Sequence, residues 1–170
     1  MGEPTGSTPT DIEVDVSRGE ILHIDDDPEF LEALHVPLLR EGYAVTGVAR
    51  ATDALRCVNA GLVPDVLIVD WCRGDEMNGD EFMLQIRKDL HHCPPIILLT
   101  KNPEDAEPPW ITDAPVWVAR KPVSMALLLA SLPGLVQVSR ATRQLANSLS
   151  LRPDTTAQLA LIIRRIEMAL

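Results

Sequence analysis

Five short apolar runs punctuate the chain: Ile21–Ile24, Val45–Val48, Val66–Val69, Ile96–Leu99 and Val116–Val118. Uninterrupted runs of this length suit strands covered on both faces, as in a parallel sheet. Helical periodicity fills the gaps between them. Asp27-Pro28-Glu29 sets a cap residue before a proline, and Phe30, Leu31, Leu34, Leu38 and Leu39 follow at helical spacing until Gly42. Pro37 inside this helix is expected to bend it. A second helix runs from Ala51 to Ala60 and closes at Gly61; a third, Asp80 to Leu90, carries Phe82, Met83, Ile86 and Leu90 on one face. The fourth crossover, Asn102 to Asp113, is poor helix material because Pro103, Pro108 and Pro109 interrupt it. A fifth helix starts near Pro122 and passes through Leu127–Leu132. Such alternation predicts an α/β fold, a doubly wound five-stranded parallel sheet.

The ends differ from this body. Residues 1–18, rich in Thr, Ser, Pro and acids, read as a flexible leader, and the alternating pattern occupies residues 19–134. Residues 135–170 read as a helical tail. Ser139 is placed to cap a helix carrying Leu145 and Leu149, and Thr155 with Gln158 has capping-box spacing before a stripe of Leu159, Ile162, Ile163, Ile166 and Leu170.

Composition narrows the function classes. Aromatics make up only 4% of 170 residues, so aliphatic side chains must pack the core. The net charge of −10 argues against direct nucleic-acid binding, which needs a basic face. The charge is split: the tail carries +3, from five arginines against Asp154 and Glu167, which leaves −13 for the rest. That split makes docking of the tail on the acidic body plausible beside self-association or partner docking. The three cysteines form no CxxC pair and imply neither a zinc site nor a disulfide framework, and His91-His92-Cys93 falls at a helix end before Pro94-Pro95. No basic start precedes an apolar run at the N-terminus, and no apolar stretch reaches the ~20 uncharged residues that span a bilayer. The expected compartment is the cytoplasm, with no membrane association.

In a parallel sheet, ligands bind beyond the carboxyl ends of the strands. There the first strand ends in Asp25-Asp26-Asp27, the third in Asp70 and the fourth in Thr100, and the fifth leads into Lys121-Pro122. Crowded carboxylates repel and recruit a cation. Hard oxygen ligands with open positions suit Mg²⁺, which keeps several waters and accepts a phosphate. An Asp on the metal can attack phosphorus while Thr and Lys hold the equatorial oxygens. Each residue alone has a plain role, the acid triplet as helix caps and the Thr and Lys as surface groups. Their conjunction at successive strand ends points to phosphoryl chemistry.

The segments ILHIDDDPEF, PDVLIVDW, PIILLT and ARKP resemble the signatures of the response-regulator receiver (CheY-like) family, and the resemblance covers roughly residues 19–134. It implies a flavodoxin-like sheet of order 2-1-3-4-5, here with a C-terminal helical extension. It implies that Asp70 accepts a phosphoryl group from a histidine kinase or phosphotransfer protein in a two-component system. By the same match Asp26 ligates Mg²⁺ directly and Asp25 assists, directly or through water. Asp70 and the backbone carbonyl of Cys72 complete the protein ligands, and Asp27 is a helix cap. Thr100 and Lys121 contact the phosphoryl oxygens, Thr100 also serving as the switch hydroxyl. At most this is magnesium-dependent self-phosphorylation and self-dephosphorylation, not conventional turnover.

The chain departs from the family pattern in four places. The loop WCRGDEMNG after Asp70 is one residue longer than usual before Gly79, and it contains Asp75 and Glu76. Lys101 stands where a small residue is usual, and Val118 where the aromatic switch residue is usual, Trp117 falling one place earlier on the other face. The fourth helix is broken by prolines. A receiver fold used as a phosphorylation-independent binding module is therefore the alternative reading. A phosphatase of the haloacid dehalogenase class, with Asp25 and Asp27 as its Asp-x-Asp, lacks the late acidic pair for magnesium. The tail is too short for a helix-turn-helix output domain. It is expected to mediate a homodimer or the docking of a partner.

Overall fold

The computed structural model describes residues 17–70, 79–90, 92–103 and 115–149, together with Thr155. Strands β1 (Glu20–Ile24), β2 (Ala44–Val48), β3 (Val66–Asp70), β4 (Ile96–Thr100) and β5 (Val116–Arg120) form one sheet of order β2-β1-β3-β4-β5. Every neighbouring pair is parallel. The expected order is therefore the observed one. The expected fourth crossover lies outside the described residues except for Asn102 and Pro103.

Alternate strand residues feed two core layers, as a sheet covered on both sides requires. Leu22, Ile24, Leu67, Ile96 and Leu98 pack with Ala54, Leu55 and Val58 of α2 (Ala51–Asn59) and Phe82, Met83 and Ile86 of α3 (Gly79–Leu90). Ile21, Val66, Ile68, Ile97 and Leu99 pack with Leu34 and Leu38 of α1 (Pro28–Arg40) and Leu128, Leu132 and Val136 of α4 (Met125–Leu149). Trp117 joins the α1/α4 layer and Val118 the α2/α3 layer, so the two point to opposite faces as the sequence predicts. Gly42 at the end of α1 has φ +84°, a left-handed conformation that glycine adopts without steric cost.

The tail departs from expectation. The helix expected to start at Ser139 does not start there, because α4 continues unbroken through Pro133-Gly134 and Ser139 to Leu149. Ser139 is wholly buried in mid-helix and caps nothing. The division expected between residues 134 and 135 falls inside this helix. Pro133 is exposed, so its ring stands on the solvent side of the helix, where a proline is tolerated best. Electrostatics then holds the extension. The buried Asp65 carboxylate accepts from Arg140 Nε and Nη2 at 3.2 and 3.0 Å, from Arg143 Nη2 at 2.9 Å and from Glu20 N at 3.1 Å. Part of the +3 tail thus pairs with the acidic body. Helix α4 is 25 residues long and an 18-residue stretch of it reaches a mean hydropathy of 1.2, enough for a membrane-crossing helix, yet one face is built into the α1/α4 core layer. Among the described residues this is a core helix that extends past the sheet.

Candidate functional site

Asp25 and Asp26 follow the last residue of β1, and Asp70 is the last residue of β3, the strand beside it. This neighbouring placement brings the three carboxylates together, one oxygen of each within 4.8 Å of the others. Two oxygens on one Mg²⁺ stand at most about 4.2 Å apart, so small side-chain rotations close the set around a cation. Lys121, just beyond β5, reaches in and bridges two of the acids, Nζ lying 2.6 Å from Asp25 Oδ2 and 2.9 Å from Asp70 Oδ2. Its ammonium also sits 4.3 Å above the centre of the Phe30 ring, a cation–π contact that fixes its approach.

Burial alone would push the Asp25 carboxyl up. The His23 ring, Lys121 and the Asp27 N–H, which donates to Asp25 Oδ1 at 3.0 Å, outweigh that and hold Asp25 below the usual carboxylate range. Burial likewise pulls Lys121 down, and its bonds to Asp25 and Asp70 outweigh it and raise the ammonium. Both groups are held in their charged forms. Three carboxylates against one ammonium leave the pocket about two charges negative, which suits a divalent oxygen-loving cation.

The other expected site residues fall as follows. Thr100 ends β4 one residue past Leu99, the register partner of Asp70, and its Oγ1 accepts from Asn102 N at 3.2 Å. Asp27 caps α1, its Oδ1 accepting from Glu29 N and Phe30 N at 3.0 and 3.2 Å. Lys101 is exposed, and its carbonyl accepts from Arg120 Nη1 at 2.9 Å. The Cys72 carbonyl, Trp71, Asp75 and Glu76 lie outside the described residues.

Two further side chains belong to this pocket. Phe30 reads in the sequence only as a helix-face residue, yet a ring three places after Asp27 in the first turn of α1 can flank the pocket. His23 reads as part of an apolar run, and the lone imidazole within ILHI is the only sign of it.

Known proteins place this arrangement. The family model of the response regulator receiver domain matches residues 21–132. The transcriptional regulatory protein GlrR of Escherichia coli (strain K12) is 37% identical over 82 residues, 48% of this chain and 18% of that protein. The transcriptional regulatory protein KdpE of Mycobacterium tuberculosis (strain ATCC 25618 / H37Rv) is 30% identical over 141 residues, 82% of this chain and 61% of that protein. The chain therefore spans less than two thirds of either relative. The chemotaxis response regulator CheY4 of Vibrio cholerae superposes with a TM-score of 0.55 at 24% identity, over 68% of this chain and 97% of that one. The sheet order, the acidic strand ends and the matched segment agree: the chain belongs to the response regulator receiver family.

Proposed function

We propose that the chain is a phosphorylatable receiver whose acceptor is Asp70. The observation that carries this reading is the trio Asp25, Asp26 and Asp70 with Lys121 bridging Asp25 and Asp70. Asp25, Asp26, Asp70 and the Cys72 carbonyl are the groups to hold Mg²⁺, which when bound supplies charge neutralisation for an incoming phosphoryl group. A carboxylate oxygen of Asp70 attacks the phosphorus of a phosphohistidine on a histidine kinase or phosphotransfer protein. The O–P bond forms as the P–N bond breaks, and the departing imidazole keeps the electron pair and takes a proton from solvent. Lys121 transfers its hydrogen bond from Asp70 to a phosphoryl oxygen, and Thr100 donates its hydroxyl to another. On this reading the domain works in the cytoplasm.

The test is a beryllium fluoride titration. A Mg²⁺-dependent complex is expected, and none forming with Mg²⁺ present sinks the proposal. That result would favour the second reading, a binding module without phosphorylation, for which one observation speaks: the Lys121 ammonium bridges Asp25 and Asp70 and competes with a metal ion for both carboxylates.

Residues 135–170 are assigned to self-association or partner docking, since Leu145 and Leu149 of α4 stand exposed. If they join two copies, Leu145→Glu with Leu149→Glu halves the mass seen by light scattering; an unchanged mass counts against self-association through this face.

A further inference from the structure

His23 is the next-to-last residue of β1, wholly buried, and neither ring nitrogen has a hydrogen-bond partner among the described residues. Buried polar groups are nearly always paired, so an unpaired imidazole in a sheet core demands an explanation. Its surroundings are built to fix it. The Phe30 ring meets it edge-on at 6.1 Å between centroids, and the His35 ring lies tilted against it at 5.5 Å. His35 in turn occupies the space above Gly47, where an added Cβ would lie 2.1 Å from His35 Cε1. A side chain at position 47 would displace His35 and with it the packing of His23. What the ring faces is the acidic pocket: Nε2 is 3.7 Å from Asp25 Oδ2, and both side chains are fully buried.

That oxygen is also the one Lys121 holds at 2.6 Å. In the proposed reaction Lys121 is needed on the phosphoryl group, and a shared cation competes with it for the carboxylates. Asp25 Oδ1 keeps the Asp27 N–H. Oδ2 loses its ammonium, and His23 Nε2 is then the nearest ring donor to it. A donor behind a metal-bound carboxylate fixes its rotation and its charge.

We propose that His23 is a positioning residue for Asp25, holding its carboxylate in the metal-binding orientation at a cost to the stability of the core. This rests on the reading that Asp25 helps to hold Mg²⁺.

The experiment compares Mg²⁺ affinity, by calorimetry, and melting temperature across the full-length wild type, His23→Leu and His23→Gln. His23→Leu is expected to lose about tenfold in Mg²⁺ affinity. Its melting temperature is expected to rise by about 2–6 °C, because an unpaired polar ring leaves the core. His23→Gln, whose amide nitrogen reaches the place of Nε2, is expected to return affinity to within about threefold. A purely structural role would not separate the two substitutions in this way. If the leucine variant does not fold, His23→Met takes its place in the same comparison. Wild-type affinity in the leucine variant, or equal losses in both variants, overturns the role of His23 alone. A wild type that takes up no Mg²⁺ overturns the reading of the pocket and this proposal with it.

Discussion

Asp70→Asn is expected to abolish phosphoryl incorporation from a small phosphodonor such as acetyl phosphate in the presence of Mg²⁺, leaving label at background. The amide keeps the shape of the side chain but removes the anionic oxygen that attacks phosphorus. It also takes one negative charge from a trio whose oxygens lie within 4.8 Å of one another. The same substitution leaves the fold intact, for two reasons. Lys121 keeps its 2.6 Å bond to Asp25, and removal of a like charge relieves repulsion within the pocket. Unfolding free energy is therefore expected to change by less than about 1 kcal/mol. Loss of labelling with an unchanged denaturant midpoint separates a chemical role from a structural one. Labelling that persists at the wild-type level would place the acceptor elsewhere and remove Asp70 from the mechanism.

The parts that sequence patterning revealed share a physical origin. Strands covered on both faces must be written in apolar residues, so Val66–Val69 and Ile96–Leu99 announce themselves, and the first polar residue after each marks the sheet's carboxyl edge. Asp25, Asp26, Asp70, Thr100 and Lys121 were found by that rule, and the structure brings the three acids and the lysine into one cluster. The rule fails where a residue breaks no pattern. His23 interrupts no strand, and nothing in a one-dimensional run says that its ring meets Asp25 just past the end of that strand. The break expected between the helix through Leu127–Leu132 and a new one at Ser139 errs in the opposite direction. Leu128 and Leu132 before Pro133-Gly134 and Val136 after it pack into one layer, and that burial carries the helix through. Tertiary packing outweighs the local propensity of two residues. The opposite charges of tail and body predicted attraction but not its geometry, since a net charge does not name the carboxylate that receives it.

That carboxylate is Asp65, and Asp65→Ala is the substitution expected to cost most in stability. Its side chain is 4% exposed, against 42% for Arg140 and 28% for Arg143. Removing one partner of a fully buried pair costs about 3–5 kcal/mol, because the remaining charge stays behind uncompensated. Here both guanidiniums reach water, which reduces that figure, while the Glu20 N–H that Asp65 accepts at 3.1 Å loses its partner and adds about 1 kcal/mol or more. The net expectation is a loss of about 2–4 kcal/mol, or about 5–15 °C in melting temperature. The pair Asp53–Arg56, with side chains 37% and 79% exposed, is the internal control; Arg56→Ala is expected to change stability by less than about 0.5 kcal/mol and to matter less as salt is added. A loss at Asp65 no larger than at Arg56 would show that the extension of α4 is held by packing alone. Asp65 precedes β3 and Asp70 ends it, so the two stand about 16 Å apart along an extended strand. Phosphoryl acceptance by Asp65→Ala, assayed below its melting temperature, is accordingly expected to match the wild type, because the latch and the pocket lie at opposite ends of the same sheet.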